Sequence, residues 1–366
     1  MSQSKYRQIF LELKKQILGG RFDSSNPFPS EAAVAREKQT TRNTVHRAFI
    51  ELRRLGLIEG EPGVAPRVAA GKVSRKIGLI VPGAAYSEFF QPIVGEISRL
   101  SQEQGYTLLF GNISSKDPVK RAAQTKRFAK TLVKEKVAGV IYQPLELLED
   151  SERLNQEILG IFDAAKVAVV LYDYDFVQTP RRSNYDVVCT NNYDAGYRLG
   201  DHLMSKKVKK VDFLLLSHYS ASSQINRMRG IIAAVKDKDG DARTLVATPD
   251  DTEAIRRHLK ARRPDAILCG DDHSAAMLMK TLAKLGLRVP DDILLAGFND
   301  VQIASLTTPG LTTIHQPCED IARETFRALL DRIAERTRPV REIYLPAPLV
   351  ERGSTCRESK DKARCL

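Results

Sequence analysis

Apolar residues near the start of the chain recur at helical spacing. Tyr6, Ile9, Phe10, Leu13 and Ile17 take the i, i+3, i+4 steps that line one helix face, and Gly19-Gly20 ends the run. A loop with Pro27 and Pro29 follows, and Ser30 stands where its hydroxyl caps a short second helix over about 31–37. Val45, Ala48, Phe49, Leu52 and Leu55 predict a third helix starting at Thr41. Its opposite face carries Asn43 and Arg47, flanked by Arg42 and Thr44 at the exposed N-terminal end. Leu57-Ile58-Glu59 and Pro66-Arg67-Val68 read as two strands of a hairpin, with Pro62-Gly63 as the central pair of a type II turn. The stretch from Ala69 to Lys76 is small, polar and basic with no apolar period, which predicts a linker.

From Ile77 the rhythm changes. Short apolar runs at Ile77-Val81, Thr107-Phe110, Ala138-Ile141 and Val167-Leu171 alternate with helical segments near 89–104, 117–135 and 151–163. After a connection through 174–186 the alternation resumes, with strands near 187–189, 211–216, 265–269 and 293–297. Helices near 193–205, 222–237, 271–285 and 318–334 intervene. Such alternation predicts two open parallel sheets covered by helices. Ligands of such sheets bind outside the carboxyl ends of the strands.

A chain of 366 residues exceeds what one hydrophobic core organises, so at least two folding units are expected. No apolar run approaches ~18 residues and no basic start leads into an apolar stretch, which points to a soluble, cytoplasmic protein away from membranes. The five cysteines are scattered without metal-ligand spacing and read as reduced, space-filling thiols. Charge is distributed unevenly. Residues 1–76 hold 15 Lys/Arg against 7 Asp/Glu, net +8, whereas the other 290 residues hold 42 against 38, net +4. On charge alone, a solvated basic surface and a polyanion-binding module are equal alternatives. The helical pattern favours the second: a recognition helix reaches base edges with its early residues while hydroxyls and guanidinium groups hold phosphates. Ser30, Thr41, Arg42, Asn43, Thr44, His46 and Arg47 are the candidate DNA contacts, with Gly63 at the wing tip and Arg67 behind it.

These motifs carry a family resemblance. Tyr6-Arg7-Gln8-Ile9, Phe28-Pro29-Ser30-Glu31, Thr41-Arg42-Asn43-Thr44-Val45, Leu55-Gly56-Leu57-Ile58 and Gly63 together resemble the GntR-family winged helix. The departure is His46, where that family usually carries Arg; Arg47 is placed to take over its contact. Residues 77–355 resemble the effector domain of the LacI family, similar to periplasmic sugar-binding proteins. The matching pieces include Ile77-Gly78-Leu79-Ile80-Val81-Pro82, Asn192-Tyr193-Asp194-Ala195-Gly196, Arg227-Met228-Arg229-Gly230, Gly297-Phe298-Asn299-Asp300 and Glu351-Arg352-Gly353-Ser354-Thr355. The combination resembles arabinose-responsive repressors. It implies an α+β winged helix-turn-helix over 1–69, a linker over 70–76, a two-lobed α/β periplasmic-binding-protein-like (type I) domain over 77–355, and a tail over 356–366. Lobe 1 would span about 77–187 and 316–344, lobe 2 about 188–315 and 345–355.

The implied function is a transcription regulator, a homodimer on operator DNA, controlled by a mono- or disaccharide. A sugar needs hydroxyl-pairing groups around its edge and an aromatic ring on its C–H face. Phe89 and Phe90 follow the first strand and serve as ring platforms or as plain core. Ser87 stands where sugar binders often carry Asn. Asp173, at a strand end, is a hydroxyl acceptor or a turn-former; Arg227 matches the family's ligand arginine, with Arg229 its surface-facing rival. Asp271 and Asn299 end two further strands, in the reverse of the order many relatives show. Gln316 sits near a crossover and serves the ligand or backbone groups. An enzyme is the first alternative, but there is no GxSxG elbow, P-loop, HExxH or Rossmann fingerprint, and none of the six histidines has metal-ligand spacing. No cofactor or metal is therefore expected. A ligand-independent architectural DNA binder is the second alternative.

Overall fold

The computed structural model describes residues 5–18, 21–22, 25–54, 56–60, 66–68, 74–82, 88–111 and 113–357, except for the side chains of Lys15, Leu18 and Arg54. Gly19-Gly20, the Pro62-Gly63 turn, Ser87, most of the expected linker and 358–366 lie outside these residues.

Helices α1 (Lys5–Leu18), α2 (Glu31–Glu37) and α3 (Arg42–Arg54) precede the antiparallel strands β1 (Ile58–Glu59) and β2 (Arg67–Val68), which pair Ile58 with Val68. Ile9, Leu13 and Ile17 of α1 pack on Val45, Ala48, Phe49 and Leu52 of α3, the two apolar faces visible in the sequence. Ser30 caps α2 by accepting from the Ala33 amide. The Thr41 hydroxyl accepts from the Thr44 amide, so α3 begins one residue after the expected start.

Lobe 1 is a six-stranded parallel sheet of order β13-β7-β6-β5-β3-β4. Its strands are β3 (Lys76–Ile80), β4 (Thr107–Phe110), β5 (Gly139–Tyr142), β6 (Ala168–Tyr172), β7 (Asp186–Thr190) and, late in the chain, β13 (Glu342–Leu345). Helices α4 (Phe90–Glu103) and α12 (Cys318–Ala334) cover one face; α5 (Pro118–Lys134) and α6 (Ser151–Ala164) cover the other. The central strands β5, β6 and β7 are buried along their whole length, as their unbroken apolar runs require. Lobe 2 is a four-stranded parallel sheet of order β11-β10-β8-β9. It comprises β8 (Lys210–Leu215), β9 (Asp241–Val246), β10 (Ala266–Cys269) and β11 (Leu294–Ala296), with α7 (Asn192–Ser205), α8 (Ser222–Lys236), α9 (Thr252–Arg262), α10 (Asp272–Lys284) and α11 (Gln302–Leu306) around it. A small antiparallel pair, β12 (Thr313–Ile314) with β14 (Leu349–Val350), joins the returning segments.

Two boundaries differ from expectation. Asp186–Thr190 pairs with β6 and β13, so it belongs to lobe 1 rather than opening lobe 2, and the crossover comes after Thr190. The buried Asp186 carboxylate fixes this arrangement: Arg332 of α12 reaches it at 2.8 Å and Arg341, just before β13, at 3.1 Å. β13 likewise runs through Leu345, so the return to lobe 2 follows it. Lys76, expected in the linker, already pairs in β3. Cys189, Cys269 and Cys318 are free thiols, whereas Cys356 is disulfide-bonded, against the expectation of reduced cysteines throughout.

Candidate effector cleft and DNA-reading surface

The carboxyl ends of the two sheets face each other across a cavity of about 210 Å³. From lobe 1 it receives Phe89 and Phe90 at the start of α4, Gln143 and Glu146 after β5, Asp173 after β6 and Arg121 from α5. Lobe 2 supplies Arg227 from α8, Asp271 after β10 and Asn299 after β11, and Gln316 comes from a crossover. The lobes touch beside it: the Leu147 amide donates to the Tyr219 carbonyl at 2.9 Å, and the Ser222 hydroxyl donates to the Asp175 carbonyl at 2.6 Å.

Arg227 is placed by glycine. A Cβ on Gly196 would stand 2.2 Å from the Arg227 carbonyl oxygen, and one on Gly230 would stand 2.1 Å from the Tyr193 carbonyl oxygen. Only bare backbone lets α7 and α8 approach this closely. The guanidinium then donates through Nε to Asn192 Oδ1 at 2.8 Å and through Nη1 to the Gly270 carbonyl at 2.6 Å, and stacks on Phe298 with 3.8 Å to the ring centroid. These contacts leave part of its donor fork facing the cavity. Burial lowers its pKa to about 10, with Asp173 and Asp271 opposing, so it stays charged at neutral pH. Arg229, the rival in sequence, is on the lobe surface and reaches the Thr179 carbonyl instead.

Asp173 adopts a positive φ of 74° directly after β6, and its carboxylate accepts from Gln143 Nε2 at 3.1 Å. Burial pushes its pKa up to about 6, against the pull of Arg227 and the Gln143 hydrogen bond. Both phenylalanines line the cavity and belong to the lobe 1 core, so the two readings of them are compatible. Asp271 is mostly committed to capping α10, accepting from the Ser274 amide and hydroxyl, both at 2.8 Å. Asn299 holds a φ of 110°; its Oδ1 accepts from Gln316 Nε2 at 2.7 Å, leaving the amide donors toward the cavity. Gln316 also accepts from the Thr190 hydroxyl at 2.8 Å, so it joins the two lobes at the crossover through side chains rather than satisfying backbone. Ser87 is outside the described residues.

Gln143, Glu146 and Arg121 escaped the sequence reading. Gln143 directly follows an apolar strand, the same signal that singled out Asp173, and was findable; Glu146 and Arg121 lie three residues past a strand and within a helix, where no local pattern marks them.

On the N-terminal unit, Thr41, Arg42, Asn43, His46 and Arg47 are exposed along the first two turns of α3, with Thr44 half-buried among them and Arg67 exposed on β2. Ser30 is partly exposed beside them, its hydroxyl occupied by the cap. Gly63 lies outside the described residues. Glu31, missed as a site residue, organises this surface: its carboxylate lies 2.9 Å from His46 Nδ1, 3.7 Å from Arg53 and 3.8 Å from Arg42. Arg47 stacks over Tyr6 at 4.6 Å, which aims it away from the core.

Comparison with known proteins agrees with both halves. Residues 5–68 match the gntR family of bacterial regulatory proteins, and residues 200–355 match the periplasmic binding protein-like domain. The HTH-type transcriptional repressor PurR of Vibrio atlanticus is 24% identical over 86% of this chain and 90% of its own length. A LacI family regulator from Enterococcus faecalis with bound ribose superposes with a TM-score of 0.64 at 24% identity, covering 78% of this chain and all of that one. A GntR transcription regulator from Chromobacterium violaceum gives 0.59 at 25% identity, over 76% of this chain and 99% of that one. Residues 5–68 thus belong to the gntR family of bacterial regulatory proteins and residues 200–355 to the periplasmic binding protein-like domains, and the chain is a ligand-controlled DNA-binding transcription regulator.

Proposed function

We propose that the chain is a cytoplasmic repressor that binds operator DNA as a two-fold homodimer and releases it when a neutral sugar occupies the cleft. The supporting observation is that Asp173, Arg227, Asn299, Gln316 and the Phe89-Phe90 pair, drawn from both lobes and a crossover, converge on one cavity of about 210 Å³. Phe89 or Phe90 covers the sugar's C–H face, Asp173 accepts hydroxyl protons, and Arg227 and Asn299 donate to ring and hydroxyl oxygens. Asp271 and Gln316 act mainly by holding their neighbours. A ligand touching both lobes favours their closed arrangement by its differential affinity, and that closure resets the spacing of the paired readers. Two readers are needed because one small winged helix spans too few base pairs for useful specificity. On this reading Ser30, Thr41, Arg42, Asn43, Thr44, His46, Arg47 and Arg67 make the DNA contacts, with Gly63 closing the wing. The cleft binds without turnover. Relatives fit this: PurR is named a repressor, and the Enterococcus faecalis structure holds ribose.

A thermal-shift screen of mono- and disaccharides on the full chain tests the reading. A true effector at a hundredfold excess over Kd stabilises the folded state by about 2.7 kcal/mol, enough for a rise of several degrees. No shift with any sugar would reject it.

A further inference from the structure

The turn after β5 carries two groups that the reading above leaves unused. Gln143 is 3% exposed and lines the cavity; its Nε2 is spent on Asp173, while its Oε1 has no hydrogen-bond partner. Buried amide oxygens are rarely left so, and an unpaired one costs about 1–3 kcal/mol. Glu146, three residues on, opens partly to the same cavity, and the one hydrogen bond it accepts is a 3.3 Å contact from the Ala221 amide of lobe 2.

The turn is held rigidly. The Asn155 side chain, buried in α6, bonds both the amide and the carbonyl of Leu145, at 2.8 and 3.0 Å. The Tyr174 hydroxyl donates to the Pro144 carbonyl at 2.6 Å, and the Leu147 amide is fixed to lobe 2. Two acceptors on a fixed turn thus aim into a closed space, with the Asp173 carboxylate beside them.

Charge bears on what fits. The lining carries three carboxylates, Glu146, Asp173 and Asp271, against two guanidinium groups, Arg121 and Arg227. Arg227 already gives two of its donors to Asn192 and Gly270. Burial, with Asp173 adding to it, pushes Glu146 up to about 7, while Arg121, the Ala221 amide and Arg227 pull it down; the ionised wall is short of donors. The cavity is also smaller than the roughly 300–1,000 Å³ usual for drug-sized ligands.

We propose that Gln143 and Glu146 form a second reading edge of the effector site, accepting hydrogen bonds from the ligand, and that the site selects a donor-rich, uncharged or cationic molecule of monosaccharide size over anionic sugar derivatives. This rests on the sugar reading of the cleft. A phosphate or carboxylate on the ligand meets a wall of net negative charge and offers no proton to Gln143 Oε1, whereas hydroxyl or ammonium groups satisfy both.

Isothermal titration of the full chain tests this with D-ribose, D-xylose, D-galactose and D-glucose, then D-glucosamine, D-glucuronic acid and D-ribose 5-phosphate. A neutral or amino sugar is expected to bind at least tenfold more tightly than its anionic counterpart. Gln143→Leu should weaken the best ligand about tenfold or more. Glu146→Gln is nearly isosteric and keeps an oxygen for the Ala221 amide; it should narrow the preference for glucose over glucuronic acid, a ratio that simple destabilisation does not move. Unfolding midpoints of both variants accompany the titrations. Tighter binding of an anionic sugar, abolished by Arg227→Ala, would keep the sugar cleft and overturn this inference. So would unchanged affinity and preference in both variants. If no sugar of any charge binds, the cleft reading falls and this one with it.

Discussion

Asp173 and Glu146 make the cleft sensitive to pH, because both are carboxyl groups raised by burial in the empty site. Asp173 stands at about 6 and faces Arg227 and Gln143; Glu146 stands at about 7 and faces Asp173, Arg121 and Arg227. A ligand that donates hydrogen bonds to them favours the ionised forms and lowers both pKa values, so binding below pH 7 must release protons. The sign follows. Affinity should rise as pH increases from about 5.5 and level off above about 7.5. Titration at pH 6.5 in two buffers of different ionisation enthalpy should report net proton release, and uptake would contradict the assignment. Asp173 and Arg227 were legible in the sequence because each sits at a fixed place relative to a strand end or a glycine. Gln143 was equally placed and was passed over. Glu146 and Arg121 reach the cavity only through the packing of a turn and a helix, which no local pattern encodes.

The helices that hold these residues depend on close packing at a few positions. At Gly230 an added methyl meets backbone atoms, the Tyr193 carbonyl oxygen at 2.1 Å and the Tyr197 amide nitrogen at 2.7 Å, neither of which has a side chain's freedom to yield. Gly230→Ala should cost roughly 1–3 kcal/mol or more and displace Arg227 with α8. Gly160 in α6 is the control: nothing lies within 4 Å, so Gly160→Ala should be neutral or stabilise by about 0.5–1 kcal/mol. Equal unfolding midpoints for the two variants would refute the packing argument. In α3, Arg42→Ala should weaken DNA binding by roughly 1–3 kcal/mol at fixed salt if the side chain reads a base or anchors a phosphate. An unchanged affinity would take Arg42 out of the interface. Helices with a clear apolar face were legible to within a residue or two. β9 and α9 were not: the edge strand buries only Leu245 fully, and α9 buries Ile255 and the ion-paired Arg262 among charged neighbours. An edge element needs little apolar surface and so leaves little pattern.

At the scale of the whole molecule, the two-lobed plan was legible from the alternation of strands and helices, but the sheet to which each strand belongs was not. Val187-Val188-Cys189 reads as a buried strand in either lobe; what assigns it is the pairing of Asp186 with Arg332 and Arg341, 146 and 155 residues away. The DNA-reading unit touches lobe 1 where Lys14 donates to Gln104 Oε1 at 3.1 Å and Arg75 donates to the Ile17 carbonyl at 3.3 Å. The cleft and the reader therefore share lobe 1 as a common body, and a ligand that changes how lobe 2 sits on it has a physical route to the DNA. Reciprocity requires that a sugar which weakens DNA binding be weakened by DNA to the same degree, typically about 5–150-fold. The most direct test is operator affinity by fluorescence anisotropy at fixed salt, on a DNA site selected in vitro with the full chain, with and without the sugar found by thermal shift. Saturating sugar should raise the Kd of the wild-type chain within that range and leave the Kd of Arg227→Ala unmoved. An operator affinity indifferent to bound sugar, or a normal response in Arg227→Ala, would contradict control of the reader by the cleft.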